Sequence, residues 1–366
     1  MHVKSFTLTL ISASILLSNI AIAQNVVYKA NDPAATVAYW TPERMRDAEP
    51  MDLPQVDPKS VKKLTINELK SQFEGVPIGK EGSPPSVDMT PDMHQYFQPK
   101  IKEYATTLDV GSLNEQFTSA QLTPTSAVTT YPYRAVGKLF FTTPSGNKTC
   151  SGSVISPRVV LTAGHCVHNG NGNSTGWYSN FMFVPAFNNG AAPYLTWHAS
   201  YISSTSGWVS GGGTVPNAAD WGMLEISDQV VNGTTTKLGS AVGFLGWLTL
   251  STIPNHATIL GYPAAFDSGQ LMHQVLAQSA LAVAPNNAEY GSDMSLGAGG
   301  GPWIQNFGTA STGQTGGLNS ARTRVIGVTS YGYNNTTSLG NGSAIFDNTN
   351  FVSLYNFICA HQTGNC

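Results

Sequence analysis

The chain has 366 residues, of which 41% are apolar, so it can bury one large core or two smaller ones. Its 18 Lys and Arg against 21 Asp and Glu give a formal net charge of −3, which provides no basic surface for nucleic acid. Beyond the first residues, no apolar run approaches the ~20 residues that a membrane-spanning helix needs. With only 11% charged residues and 37 glycines, the composition favours an extracellular, β-rich fold.

The beginning of the chain has the pattern of a secretory signal peptide. Lys4 supplies a positive charge, residues 6–17 are apolar, and Ala21-Ile22-Ala23 forms a small-x-small site. We expect cleavage after Ala23, a secreted (extracellular or periplasmic) protein, and no membrane association after the signal is removed. An uncleaved membrane anchor is the alternative.

The four cysteines favour two disulfides. Their number is even, and an exported chain meets an oxidising compartment. Cys150 lies close to Cys166 along the chain, and Cys359 lies close to Cys366, so local pairing is favoured among the three possible connectivities.

Charge is distributed unevenly along the chain. Residues 24–130 contain ten Lys or Arg and fourteen Asp or Glu, whereas the longer stretch 131–366 contains seven of each. Helix starts are predicted at Thr41-Pro42 and at the capping box Thr65–Glu68, and residues 79–91 are typical of a linker. We predict that residues 24–130 form a pro-region or accessory segment, with a permanent N-terminal arm as the alternative.

From Tyr131 onward, short apolar or alternating runs separated by turn residues predict an antiparallel β-barrel or β-sandwich. A helical spacing of apolar residues over Phe351–His361 closes the chain. The predicted strands are Lys138–Thr142, Thr149–Ile155, Arg158–Thr162, His256–Leu260, Gln274–Val283 and Arg324–Tyr331.

The strongest local motif is Leu161-Thr162-Ala163-Gly164-His165-Cys166, with Cys150 on the preceding strand. It resembles the histidine motif of the chymotrypsin/trypsin-like serine peptidases, and the resemblance extends over residues 131–366. It implies an all-β fold of two six-stranded antiparallel barrels with a C-terminal helix, and a catalytic cleft between the barrels. In that family the histidine is the general base, which here is His165.

Two further segments resemble the same family. Ala219-Asp220-Trp221-Gly222 matches its aspartate motif, and the resemblance implies that Asp220 orients the imidazole of His165. Val328-Thr329-Ser330-Tyr331-Gly332 resembles the substrate-binding strand, with Ser330 near Asp220. The backbone of Tyr331 and Gly332 would then pair with an extended peptide.

The nucleophile motif departs from the family. The expected Gly-x-Ser-Gly-Gly-Pro is Gly297-Ala298-Gly299-Gly300-Gly301-Pro302, which puts Gly299 at the position of the serine. Glycine cannot form an acyl-enzyme. The resemblance leaves an oxyanion hole made of the Gly297 and Gly299 amides, but losing the nucleophile of such a triad costs about 10⁶ in turnover.

Neighbouring residues leave alternatives open. Ser292 and Ser295 are the serines nearest upstream that could replace the missing nucleophile. Asp293 matches the carboxylate of the trypsin-like specificity pocket and would attract Lys or Arg, with an exposed loop carboxylate as the alternative. Ala298 stands where many animal members have an Asp that pairs with a new N-terminal amine, so that activation switch is not available here.

Our leading hypothesis is a secreted trypsin-like peptidase homologue without hydrolytic activity, whose cleft binds a peptide or protein. One alternative is an active serine endopeptidase, which requires a rescuing serine or a Gly299 that is not the natural residue. A purely structural surface protein is the third hypothesis. We expect no cofactor and a monomer. No metal site is expected either, because His165 and His168 lack a third ligand.

Overall fold

The computed structural model describes residues 25–30, 32–73, 75–102, 116–308, 323–333 and 339–366. The predicted signal peptide lies outside these residues. Strand is the main regular element of the described chain. The 22 strands of the described residues are β1 (Asn25–Lys29), β2 (Glu49–Pro50), β3 (Gln55–Val56), β4 (Lys63–Leu64), β5 (Gly79–Lys80), β6 (Phe117–Gln121), β7 (Val136–Thr143), β8 (Gly146–Ser156), β9 (Val159–Thr162), β10 (Ser179–Pro185), β11 (Trp197–Thr205), β12 (Gly222–Ile226), β13 (Gln229–Val231), β14 (Thr234–Thr236), β15 (Gly246–Leu248), β16 (His256–Gly261), β17 (His273–Val283), β18 (Asn287–Gly291), β19 (Pro302–Gln305), β20 (Arg324–Val328), β21 (Tyr331–Tyr333) and β22 (Gly340–Ala344).

The α-helices are short except for the last one. They are α1 (Pro33–Tyr39), α2 (Pro42–Asp47), α3 (Ile66–Lys70), α4 (Ser206–Val209), α5 (Leu238–Val242) and α6 (Asn350–His361). The predicted caps are present: the Thr41 side chain accepts from the Arg44 N–H, and Thr65 with Glu68 forms a capping box. Among the described residues, no helix is long and apolar enough to cross a membrane.

Six strands close the first barrel. The strands β7, β8, β9, β12, β11 and β10 pair in that order, and β10 pairs again with β7, all antiparallel. Short turns join β7 to β8 and β8 to β9, whereas longer connections join β9, β10, β11 and β12. The interior contains side chains that are almost completely buried, such as those of Leu139, Val160 and Phe183. A disulfide between Cys150 of β8 and Cys166 lies at the wall of this barrel.

The second sheet runs in the order β3-β21-β22-β18-β17-β16-β19-β20-β15-β5, with β4 and β6 also paired to β17. Helix α6 packs between the two sheet systems, where Phe351 makes edge contacts with Trp221 and Trp247. A second disulfide, Cys359–Cys366, closes the end of this helix. The predicted fold class and the local pairing of the cysteines are confirmed.

The residues predicted as an accessory segment lie along both sheet systems. Strand β1 pairs with β11, and Trp40 is 7% exposed and packs edge-on against Phe140 of the first barrel. The predicted linker 79–91 contributes β5, which pairs with β15. Strand β6 pairs with β17 over five residues, although it precedes the predicted boundary at residue 131.

One predicted strand, Arg324–Tyr331, is wrong in its length, because it ends as β20 at Val328 and resumes as β21 at Tyr331. Between these strands, the Thr329 N–H donates to the Gly301 carbonyl and the Ser330 N–H donates to Gly342. The interruption thus joins Thr329 to the loop that carries Gly299, because the Gly300 N–H also donates to the Thr329 carbonyl at 2.8 Å.

Candidate active site

The structure places His165 and Asp220, the predicted base and its orienting carboxylate, in direct contact. His165 lies on a single 3₁₀ turn after β9, and Asp220 lies just before β12, which pairs with β9. Imidazole Nδ1 lies 2.9 Å from Asp220 Oδ2, and the His165 backbone N–H donates to Oδ1 at 2.8 Å. Asp220 is completely buried and His165 is 4% exposed, so little water competes for these hydrogen bonds.

Ser330 completes the hydrogen bonding of this carboxylate. Its hydroxyl donates to Asp220 Oδ2 at 2.6 Å, as the family resemblance implies. The indole of Trp208 packs edge-on to the His165 ring, and its Nε1 donates to the His168 carbonyl at 2.8 Å. The imidazole is thereby held from two sides, with Nδ1 toward the carboxylate and Nε2 toward the Gly299 loop.

Gly299 lies directly in front of Nε2. A Cβ atom built on Gly299 would lie 2.3 Å from His165 Nε2 and 3.4 Å from Cys166 Sγ, so the ring occupies the space of a side chain at residue 299. Nε2 is buried and has no hydrogen-bond partner among the residues that the structure describes. This orphan nitrogen points to the position where the family has its nucleophile.

The loop around Gly299 needs its other glycines for conformational reasons. Gly297 has φ +83° and Gly300 has φ +78°, values that side chains rarely tolerate. A Cβ at Gly300 would also lie 2.0 Å from Thr162 Oγ1. Gly299 has no such positive φ, so its backbone would accept a serine.

The upstream serines do not replace the nucleophile in this arrangement. Ser295 Oγ accepts the Ala265 N–H at 3.0 Å, and Ser292 Oγ accepts the Met294 N–H at 3.2 Å. Neither hydroxyl is bonded to His165, and a nucleophile must lie within hydrogen-bond reach of its base.

Asp293 is buried, at 5% exposed, and is therefore not an exposed loop carboxylate. It lines a cavity of about 130 Å³ together with Ser292, Ser295, Gly332 and Leu53. The strand beside this cavity is anchored by Tyr331, whose hydroxyl donates to Glu289 Oε1 at 2.7 Å. Burial, with Glu289 adding to it, raises the pKa of Tyr331 well above its usual value.

Sequence reasoning missed the residues of the N-terminal segment that enter this region. The Gly297 N–H, predicted as an oxyanion donor, donates to the Met51 carbonyl at 2.9 Å. The Gly332 N–H, predicted to bind peptide, donates to the Pro54 carbonyl at 2.9 Å. No sequence signal could have identified these contacts, because only backbone atoms make them.

The donor chemistry does not fit a metal ion at this position. Among the described residues, the one group of potential ligands that lie close together is Cys150, His165 and Cys166. Both sulfurs are joined in a disulfide and so provide no thiolate. His168 accepts the Gly170 N–H at Nδ1 and has Nε2 2.9 Å from the Asn173 carbonyl, so both of its nitrogens are engaged.

The geometry defines a two-sheet β-protein with a buried His–Asp–Ser network facing a glycine loop in a cleft. The family model for trypsin matches residues 125–353, which is more than half of the chain. The chain therefore belongs to the trypsin family of serine peptidases.

Two curated bacterial proteins are similar over part of the chain. The extracellular metalloprotease of Bacillus subtilis (strain 168) is 30% identical over 143 residues, covering 38% of this chain and 41% of that protein. The glutamyl endopeptidase of Bacillus licheniformis is 30% identical over 161 residues, covering 43% of this chain and 45% of that protein. The chain thus matches less than half the length of these relatives.

Solved structures agree on the fold. Protease Anisep from Arthrobacter nicotinovorans is 27% identical, with a TM-score of 0.52 over 66% of this chain and 100% of that one. A Glu endopeptidase, 20% identical, has a TM-score of 0.50 over 69% of this chain and 100% of that one. At that identity, the second likeness concerns the fold alone.

Proposed function

We propose that the protein is a secreted trypsin-family homologue that has lost peptide hydrolysis and uses its cleft to bind an extended peptide or protein segment. The observation that carries this proposal is Gly299, which has no side chain and faces an imidazole nitrogen without a partner. The His165–Asp220 pair remains in place, but a base without a nucleophile forms no acyl-enzyme. Activation of water by His165 alone would leave only a small residual rate.

The proposed location rests on three observations. The two disulfides are typical of an oxidising compartment, the beginning of the chain has a signal-peptide pattern, and a similar protein of B. subtilis is called extracellular. We propose that Asp293 lies at the base of the specificity pocket, where it would favour a basic side chain in a bound peptide.

The test is an assay of the purified chain with casein and with fluorogenic peptide amides that carry Arg, Glu or Leu before the reporter. We expect no turnover that depends on His165, and equal residual signals from the wild type and from His165→Ala. Turnover that His165→Ala abolishes would overturn the proposal and favour the second candidate, a working serine endopeptidase. That candidate draws support from the otherwise intact hydrogen-bonded network around Asp220.

Labelling with a fluorophosphonate separates the remaining cases. A labelled serine mapped by mass spectrometry to Ser292 or Ser295 would establish a rescuing nucleophile. Resequencing the source establishes whether Gly299 is the natural residue. If neither turnover nor peptide binding is found and His165→Ala changes only stability, the fold has a purely structural role.

A further inference from the structure

A short segment of the N-terminal region crosses the cleft. We call residues 49–56 the cleft segment. Its first part, β2, pairs in parallel with β8 at Lys148 and Thr149, and its last part, β3, pairs in parallel with β21. It therefore connects a strand of the first barrel to the second sheet across the loop that carries Gly299.

Three backbone hydrogen bonds hold the cleft segment against the site. The Met51 N–H donates to the Thr149 carbonyl at 2.8 Å, and the Met51 carbonyl accepts the Gly297 N–H at 2.9 Å. The Pro54 carbonyl accepts the Gly332 N–H at 2.9 Å. The two donors on the glycine loop and on β21 are thus already paired within the chain.

Leu53 fills the space between these hydrogen bonds. Its side chain is 7% exposed and lines the same cavity as Asp293. Leu53 Cδ2 lies 3.2 Å from the position that a Cβ on Gly332 would take, so the leucine packs directly on the backbone of β21. Val56, at 4% exposed, is the next buried side chain, while Asp52 and Gln55 point to solvent.

At its first end the segment is held by an exposed ion pair. Glu49 Oε2 lies 2.7 Å from Lys148 Nζ. Such pairs contribute little to stability, so the backbone hydrogen bonds and the burial of Leu53 and Val56 hold the segment in place.

We propose that the cleft segment is a built-in occupant of the peptide-binding cleft, so that the protein binds an external extended peptide only when this segment is displaced. The inference rests on the proposed peptide-binding function. The partner it implies is an extended peptide that takes the same backbone donors and acceptors as the cleft segment. A protein whose binding-competent state is rarely populated shows an apparent affinity reduced by that fraction.

The test uses the full-length chain and a labelled synthetic peptide of the segment itself, fluorescein-Glu-Pro-Met-Asp-Leu-Pro-Gln-Val. Leu53→Ala removes the buried side chain of the segment. Leu69→Ala is the matched control, because Leu69 is a leucine of the same N-terminal region, 3% exposed, that packs in α3 away from the cleft. We expect Leu53→Ala to bind the peptide at least ~10-fold more tightly than the wild type, and Leu69→Ala to match the wild type.

Hydrogen–deuterium exchange on the same proteins reports on the segment directly. We expect peptides containing Gly297 and Gly332 to exchange at least ~10-fold faster in Leu53→Ala than in the wild type or in Leu69→Ala. If Leu53→Ala does not fold, Met51→Pro is the second variant, since proline removes the N–H that donates to Thr149.

Equal peptide affinity and equal exchange in all folded variants would overturn the proposal. Faster exchange without peptide binding would also overturn it, because the vacated cleft would then not be a peptide site. A casein assay of the same samples keeps the two proposals apart. Turnover that depends on His165 would refute the proposed loss of hydrolysis. Tighter peptide binding by Leu53→Ala would still show that the cleft segment occupies the peptide-binding cleft.

Discussion

Replacing Gly299 by serine tests whether the other residues of the site can support hydrolysis once a nucleophile is present. A Cβ on Gly299 would lie 2.3 Å from His165 Nε2, whereas ordinary contacts are 3.4–4 Å. The imidazole must therefore retract by roughly 1.1 Å, the difference between 3.4 and 2.3 Å. The hydrogen bond between His165 Nδ1 and Asp220 Oδ2, which is 2.9 Å long, opposes this movement. Ser330 in turn holds the Asp220 carboxylate.

The expected turnover of Gly299→Ser follows from two opposing effects on the rate. The nucleophile of a comparable triad is worth about 10⁶ in turnover. Turning a side chain ~30° from its rotamer costs roughly 0.5–1.5 kcal/mol, which lowers a rate by about 2- to 13-fold. We therefore expect turnover in Gly299→Ser to exceed that of Gly299→Ala by about 10⁵ once the cleft segment is displaced by Leu53→Ala.

Gly299→Ala is the appropriate control, because it adds the same Cβ without the hydroxyl. Both substitutions crowd His165, so both should lower the free energy of unfolding by about 1–3 kcal/mol, measured by urea denaturation. Hydrolysis of fluorogenic peptide amides by Gly299→Ser should disappear when His165→Ala is added. If the folded serine variant with an open cleft is no more active than the alanine variant, the reasoning is refuted.

Three further predictions concern the surrounding structure. Replacing Cys150 and Cys166 together by alanine should lower the free energy of unfolding by about 3 kcal/mol, since their disulfide closes a loop with a sequence separation of 16; an unchanged urea midpoint would contradict this. Ser330→Ala should cost roughly 1.5–3 kcal/mol by removing a donor from buried Asp220, and a change near zero in chemical denaturation would count against that network. Burial lowers the pKa of Lys138 to about 7, so between pH 7 and its usual value of 10.5 the unfolded state binds one proton more than the folded state. Stability should therefore rise with pH across this window in the wild type relative to Lys138→Met, and parallel curves for the two proteins would contradict the prediction.

Much of the fold could be predicted because its signals are local. Short apolar or alternating runs between turn residues identified β7, β8 and β9, and the capping box at Thr65 identified α3. The pairing of strands that lie far apart in the sequence was harder to predict. Nothing in the residues 117–121 indicates that they pair with β17, because a strand with a mixed burial pattern fits many neighbours equally well.

The features of the site also differ in whether the sequence could predict them. His165, Asp220 and Gly299 lie in side-chain motifs, so their identity could be read from the chain, and the absence of a hydroxyl at residue 299 is itself a sequence fact. The imidazole of His165 fills the space that a side chain at residue 299 would take. This depends on packing, so only the structure could show it. The interruption between β20 and β21 was equally hidden, since the hydrogen bonds from the Thr329 N–H to Gly301 and from the Ser330 N–H to Gly342 make the break, and no turn residue marks it.

The position of the cleft segment is the feature that the sequence predicts least well, and the reason is physical. Met51 and Pro54 contact the glycine loop and β21 through their carbonyl oxygens, and every residue has a carbonyl oxygen. Leu53 and Val56 contribute the buried side chains of the segment, and isolated apolar residues among Asp52, Pro54 and Gln55 are an ordinary pattern for a loop. On the two proposals above, Gly299 and the cleft segment are independent obstacles to hydrolysis. A serine at residue 299 addresses the first one and leaves the second in place, so we expect full turnover only when Gly299→Ser is combined with Leu53→Ala.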